Sequence, residues 1–437
     1  MFDTRANSGT AAATGTGTAV ADGPGGSPLS LKALRCAVAV AGAGSTARAA
    51  ALVNTSPSSI TRFIQILEVR FGVPLFERHA WGMAATAAGG IVVARASRAF
   101  EQLEHGAREA GAAGSHGAAP QDARPSRLAR LVGERLLFVL IAVAETGSLT
   151  RAARRLRLSQ PAVSQAVRAL EHLAGAALVE RTSRGVRLTE AGEILLLRVK
   201  RMLMELRVAQ EEVASMHGEL HGRVVIASLP YSSVDLVPEA VMRFLGRYPQ
   251  AGIAVVDGTY DTLIDQLRNG DIDIIVSTLR PAAIDDIEQE TLFHDTLSVV
   301  CRAGHPCTRM ACPTLRDIAG APWVIPLPNT MTRASFEAAF QSEDIALPSV
   351  RLEVHNPMAV RSILLTSDYL ALLSPHQIRA DSASGQLAVL PIALRGTQRT
   401  IGLTLRRDGS PSPGVKALRE ELRLAAGAPA KSLATGP

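Results

Sequence analysis

The chain has 437 residues and a formal net charge of +6, which is room for two to four domains, each with its own core. No run of about 18 apolar residues lacks a charge, so no transmembrane helix is expected. Lys and Arg exceed Asp and Glu by roughly six in 29–100 and again in 131–201, while the rest nets acidic. Two basic blocks ahead of a mildly acidic body suggest a polyanion as partner for the front of the chain.

Residues 1–28 are rich in Gly, Ala and Thr, without a basic start or a Leu-rich middle. They read as a disordered tail rather than a signal peptide. The protein is therefore expected to stay in a reducing cytoplasm, with its four cysteines as thiols.

Shifted by 103 residues, the sequence overlays itself without a gap. Gly44-Ser45 falls on Gly147-Ser148, Ser56 on Ser159, Leu67-Glu68 on Leu170-Glu171, Thr86 on Thr189 and Gly89 on Gly192. An ungapped match of this length reads as an internal duplication. The first copy spans 29–100 and the second 132–189. Between them, 101–131 includes "EHGAREAGAAGSHGAAPQDARPSR", read as a flexible linker.

Each copy has the same grammar, clearest in the second. "LLFVLIAVAETG" is an apolar helix ending at Gly147, and Ser148 can cap a short helix carrying Ala152 and Ala153. After a break at Arg157-Leu158, Ser159 can cap a third helix with Pro161 in its first turn. Val163, Val167 and Leu170 face inward, which leaves Ser164, Gln165 and Arg168 outside. "ALVERTSRGVRLTEAG" then reads as a two-stranded wing. The first turn of the third helix can enter the major groove, with Gln160 among its base readers, while Arg151, Arg154, Arg155 and Arg168 can contact phosphates.

"GSLTRAARRLRLSQPAVSQAVRALE…LVERTSRGVRLTEAG" resembles the winged helix-turn-helix of LysR-type transcriptional regulators. The resemblance implies that Ser159, Gln160, Pro161, Ser164 and Gln165 lie at the groove, with Arg184 on the wing. The first copy departs from the pattern, with Pro57-Ser58-Ser59 for the Gln-Pro-Ala run and Trp81 for the wing Arg. Ser56, Ser58, Thr61 and Arg62 are its candidates for accessory DNA contact. Two such domains in tandem are unusual for the family.

The following helix, 190–218, carries a heptad seam of Leu195, Val199, Met202, Leu206, Ala209, Val213 and Met216. Glu205, Arg207, Glu211 and Glu212 are assigned to its wet faces. The resemblance points to a dimerisation helix, and implies promoter DNA, RNA polymerase and a second copy of the chain as partners, in a homodimer or homotetramer. In the first copy the seam becomes Val92, Ala96, Ala99, Leu103 and then Gly106, which is expected to prevent dimerisation.

From Gly222 the texture changes. "GRVVIASLP", "VDLVPEAVMRFLGRYPQA" and "GIAVVDGTYDTLIDQLRNGDIDIIVST" alternate strand and helix, with further strands in "LSVVCRAG", "PWVIPLP", "YLALLSP" and "TIGLTL". Such alternation indicates a parallel sheet with helices on both faces. The expected fold class is thus α+β multidomain: two winged helix-turn-helix domains, a coiled-coil linker helix and a two-lobed α/β effector domain. Residues 222–425 resemble the family's effector domain, similar to periplasmic binding proteins. Lobe I is expected at 222–295 plus 400–425, lobe II at 296–399, and a tail at 426–437. Within the family, the segment from "EAVMRFLGRYPQ" to "STLRP" is similar to the group regulating sugar uptake, the galactose-binding-protein regulators.

Ligands in such folds sit beyond strand ends, near helix N-termini. Three loops qualify: Tyr231-Ser232-Ser233, Ser277-Thr278, and Asn329-Thr330-Met331-Thr332-Arg333. Their hydroxyls and single Arg suit a small polar or anionic metabolite. Cys301, Cys307 and Cys312 lie near His294 and His305, but without a CxxC they read as structural thiols rather than a metal site. A redox-responsive regulator of the same family is the alternative. A cytoplasmic solute-binding protein would leave both basic copies unexplained. No GxSxG, P-loop, HExxH or dinucleotide fingerprint points to an enzyme, and no cofactor is implied.

Overall fold

The computed structural model describes residues 30–80, 82–114, 126–183, 185–216, 218–229, 235–280, 284–354, 356–407 and 411–427. The expected tail at 1–28 lies outside them, as does most of 426–437. The chain forms two compact units that divide between Val213 and Ala214.

The first unit runs α1 (Leu31–Ala43), α2 (Thr46–Leu52), α3 (Pro57–Phe71), β1 (Phe76–His79), β2 (Gly82–Ala85) and α4 (Ala87–Gly114). After a short α5 (Arg127–Leu131) the order returns as α6 (Glu134–Thr146), α7 (Leu149–Leu156), α8 (Gln160–Ala174), β3 (Val179–Thr182), β4 (Gly185–Leu188) and α9 (Glu190–Ser215). The signals are local. Gly44 and Gly147 end α1 and α6 in the left-handed conformation, and the hydroxyls of Ser56 and Ser159 cap α3 and α8.

Residues that are identical across the 103-residue shift make the same bonds. Glu68 accepts the Leu75 N–H at 2.9 Å, and Glu171 that of Leu178 at 3.0 Å. Thr86 donates to the Pro74 carbonyl and accepts from Gly89 N–H, as Thr189 does with Ala177 and Gly192. In the hairpins, a Cβ at Gly82 or Gly185 would stand 2.3 or 2.5 Å from the carbonyl oxygen of Gly44 or Gly147. Only glycine lets those carbonyls accept the N–H of Met83 and Val186.

α4 and α9 pack antiparallel and bond reciprocally. Arg95 grips Glu212 through Nε (2.9 Å) and Nη2 (2.5 Å), and reaches Glu205 through Nη1 at 2.9 Å. Arg198, 103 residues on, grips Glu109 at 3.0 and 2.6 Å and reaches Gln102 at 3.1 Å. This is the exchange of partners that a twofold interface requires, here within one chain.

Four expectations are corrected in this unit. Leu195, Val199, Met202, Leu206 and Val213 share one apolar core with Val92, Ala96, Ala99 and Leu103, and Ala209 is buried as well. The seam expected to hold a second copy is thus covered by the same chain, and only Met216 stays exposed. The first copy's seam pairs after all, because Gly106 is a hole: a Cβ there would meet Arg198 Cβ at 2.9 Å and Leu195 Cδ1 at 3.1 Å. The expected linker at 101–131 is helical to Gly114 and again at α5, with 115–125 outside the described residues. Nor are Glu205 and Glu211 wet; both are buried.

The second unit has two lobes. In the first, β5 (Gly222–Ser228), β6 (Ala251–Val256), β7 (Ile274–Thr278), β8 (Ile287–Thr296) and β12 (Gln398–Arg406) form a sheet in the order β6-β5-β7-β12-β8. Val224 and Ile226 point to the face covered by α10 (Leu236–Arg247) and α16 (Pro413–Gly427), and Ala227 to the face covered by α11 (Tyr260–Asn269). In the second lobe, β9 (Ser298–Arg302) lies between β10 (Ala371–Leu373) and β11 (Leu387–Val389). Around them are α12 (Leu315–Ile318), α13 (Met331–Gln341), α14 (Pro357–Thr366) and α15 (Arg379–Ala383).

The expected all-parallel sheet is mixed. Among the strands, pairing is parallel from β5 to β6 and β7, and antiparallel from β12 to β7 and β8 and from β9 to both neighbours. The chain crosses between lobes twice, after β8 and before β12, and returning strands necessarily run the other way. The two crossovers are tied together, with Leu297 N–H donating to Thr397 O at 3.3 Å. "PWVIPLP" forms only isolated bridges, Trp323 with Leu370 and Ile325 with Glu353.

Candidate functional site

The first candidate surface is the polar edge of α8. Ser159 spends its hydroxyl on the Ala162 N–H at 3.3 Å, which fixes the start of the helix. Val163, Ala166, Val167 and Leu170 are buried, so Gln160, Gln165 and Arg168 are left exposed and Ser164 half-buried. Gln160 Nε2 donates to Ser164 Oγ at 3.0 Å, which holds the amide along the helix edge. Pro161 is exposed in the first turn. Arg151 is exposed and donates to the Thr146 carbonyl, whereas Arg155 is tied to Glu145 at 2.6 Å. Arg184 lies outside the described residues. On α3, Ser56 accepts the Ser59 N–H and shares its hydroxyl with Ser58 and Ser59, while Ser58, Thr61 and Arg62 are exposed.

The second is a cleft of about 610 Å³ between the lobes of the second unit. Its walls include Thr278 at the end of β7, His294 and Asp295 at the end of β8, Thr332 and Ser335 in the first turns of α13, and Arg399 at the start of β12. Asp295 and Arg399 are cross-strand partners, bonded at 2.8 and 2.6 Å, and Ser374 from the second lobe donates to Asp295 at 2.9 Å.

Of the described residues in the three candidate loops, Thr278, Thr332 and the apolar Met331 line this cleft. Tyr231, Ser232 and Ser233 lie outside the described residues. Ser277 is fully buried and bonds the Thr278 carbonyl. Thr330 caps α13, accepting from Arg333 N–H and donating to Leu327 O, while Asn329 takes a left-handed turn before it. Arg333 is held by Glu337 at 2.6 Å and Glu353 at 2.9 Å, so its charge is already matched. The lining from β8 and β12 escaped sequence reasoning. Its signal was position: these residues flank the two lobe boundaries that the sequence itself suggests.

Cys301 belongs to the core of the second lobe, and burial, with a smaller push from Cys307, raises its thiol to about 11. A thiol that stays protonated suits packing rather than redox exchange. His305 is buried between the Cys307 N–H (3.1 Å) and the Asp368 carbonyl (3.2 Å), a capping role. Among the described residues no three His, Cys, Asp or Glu side chains are grouped as metal ligands, and no helix is long and apolar enough to cross a membrane.

Comparisons with known proteins agree with this architecture. The family "Bacterial regulatory helix-turn-helix protein, lysR family" matches residues 31–90 and 135–193, and "LysR substrate binding domain" matches 217–426. The HTH-type transcriptional regulator GalR of Pseudomonas putida is 35% identical over 385 residues, covering 86% of this chain and 92% of GalR. PcaQ of Agrobacterium fabrum is 31% identical over 302 residues, 68% of this chain and 97% of PcaQ. A full-length OxyR variant from Pseudomonas aeruginosa shares the fold, with a TM-score of 0.53 and 22% identity over 66% of this chain and 94% of OxyR. With helix-turn-helix units ahead of a two-lobed domain, and relatives that regulate transcription rather than catalyse, the chain belongs to the LysR family of DNA-binding transcriptional regulators.

Proposed function

We propose that the chain is a cytoplasmic, effector-gated regulator whose N-terminal unit is a tandem duplication of the winged helix-turn-helix, with base readout by α8. The exposed edge formed by Gln160, Ser164 and Gln165 supports this most directly, because a Gln amide offers the paired donor and acceptor that adenine presents in the major groove. Arg151, Arg168 and Arg184 supply phosphate contacts. The duplication is supported by the GalR match, which is longer than the stretch from Glu101 to the chain's end and so reaches into the first copy. Gln160→Ala should lower the preference for operator over random duplex by about 5- to 150-fold, while salt-sensitive non-specific binding persists. Competition gel shifts measure the ratio, and an unchanged ratio removes Gln160 from the reading set.

A small polar or anionic effector fits the cleft, where Thr278, Thr332, Ser335, Gln398 and Thr400 present hydroxyl and amide groups and the α13 N-terminus favours negative charge. Thr332→Val should weaken effector binding by about 1–3 kcal/mol. Thr330→Val, which removes a cap, should cost about 1 kcal/mol of stability and leave affinity unchanged. Isothermal titration with a ligand found by thermal-shift screening separates the two; equal affinities for Thr332→Val and wild type would move the effector elsewhere. Homodimer or homotetramer assembly and contact with RNA polymerase complete the scheme through surfaces other than the α4–α9 seam.

A further inference from the structure

α3 and α8 occupy equivalent places in the two halves of the first unit, yet they present different groups. Across the 103-residue shift Gln160 becomes Pro57, Ser164 becomes Thr61, Gln165 becomes Arg62 and Arg168 becomes Gln65. All four residues on α3 are exposed. Arg62 has no salt bridge among the described residues, whereas Arg35, Arg95 and Arg198 of the same unit are engaged. In the major groove a Gln amide matches adenine, and a guanidinium matches the two acceptors of guanine.

The α4–α9 pairing gives these unlike helices a near-twofold relation. In a symmetric pair of identical heads, the protein dyad dictates a palindromic site. Here the dyad is only approximate even in the interface, since Arg95 meets Glu205 where Arg198 meets Gln102. A pair of unlike heads has no reason to prefer a palindrome.

We infer that one chain recognises an asymmetric operator made of two unlike half-sites. α8 reads the first through Gln160 and Gln165. α3 reads a different, guanine-bearing half-site through Arg62, with Ser58 and Thr61 beside it. The inference rests on the DNA-binding role proposed above, and it makes the first copy a second reader rather than an accessory.

The test is selection of the full-length chain on a random duplex pool, repeated with Arg62→Gln and Gln165→Ala. Both side chains are exposed, so both variants should melt with the wild type. The wild type should enrich two dissimilar blocks whose centres are separated by about 10 bp or a multiple. Arg62→Gln should weaken the preference in one block about tenfold and spare the other, and Gln165→Ala should do the reverse. The inference is overturned if every enriched block responds to Gln165→Ala and none to Arg62→Gln, because the second copy then reads alone. It is equally overturned if neither substitution alters any block. Failure of the wild type to enrich any duplex would instead sink the DNA-binding reading on which the inference stands.

Discussion

Arg95→Met should destabilise the first unit by about 3–5 kcal/mol, more than any exposed substitution on its reading helices. The Arg95 side chain is 1% exposed and that of Glu205 6%. Burial opposes the charge on Arg95, but its hydrogen bonds to Glu212 and Glu205 outweigh burial and raise the pKa. Without Arg95, Glu205 keeps Arg98 at 3.1 Å as its one salt-bridge partner on α4 among the described residues, and a buried carboxylate is left poorly compensated. Arg198→Met, at the equivalent place, should cost clearly less, because Arg198 is 18% and Glu109 43% exposed and water takes over the freed carboxylate. Hydrogen exchange at the amides of α4 and α9, read in the full-length protein, reports the unit directly. Equal losses for the two variants would mean that burial does not set the strength of these pairs.

Asp295→Ala should destabilise the second unit by roughly 3 kcal/mol and loosen the relation of its lobes. Arg399 and Asp295 are 7% and 4% exposed, and Asp295 also holds Ser374 from the second lobe. One carboxylate therefore serves both the crossover strands and the lobe beyond them. Asp295→Asn preserves shape and an acceptor for Ser374 while removing the charge, so its loss should be smaller. Urea unfolding followed by circular dichroism, at low and high salt, gives both values. A wild-type advantage that vanishes in high salt would show the pair to be screened like a surface bridge.

The winged units are legible in the sequence because their signals are local. Ser159 caps within three residues, Gly147 ends its helix by its own φ, and Val163, Val167 and Leu170 mark a face by spacing alone. A heptad seam is different in kind. It states that Leu195 through Val213 need a partner, but not whether the partner belongs to the same chain. Gly106 looks like a break in the first seam only when α4 is considered alone; opposite Leu195 and Arg198 it is the space they fill. The cleft is legible by halves for a similar reason. Thr278 and Thr332 stand at a strand end and a helix start, which sequence can locate. Thr330 and Arg333 carry the same chemistry, yet a cap and two carboxylates satisfy them locally. His294, Asp295, Arg399 and Thr400 become neighbours only because β12 returns beside β8 after the whole second lobe, a long-range register with no local mark.

Because α4 and α9 belong to one polypeptide, their association is unimolecular. Helices contributed by separate chains part company as the protein is diluted. Tethered helices meet at an effective concentration set by the connecting segment and not by the concentration of the protein. The coupling of the two winged domains is therefore indifferent to expression level: a cell with a handful of molecules keeps the same fraction coupled as one with thousands.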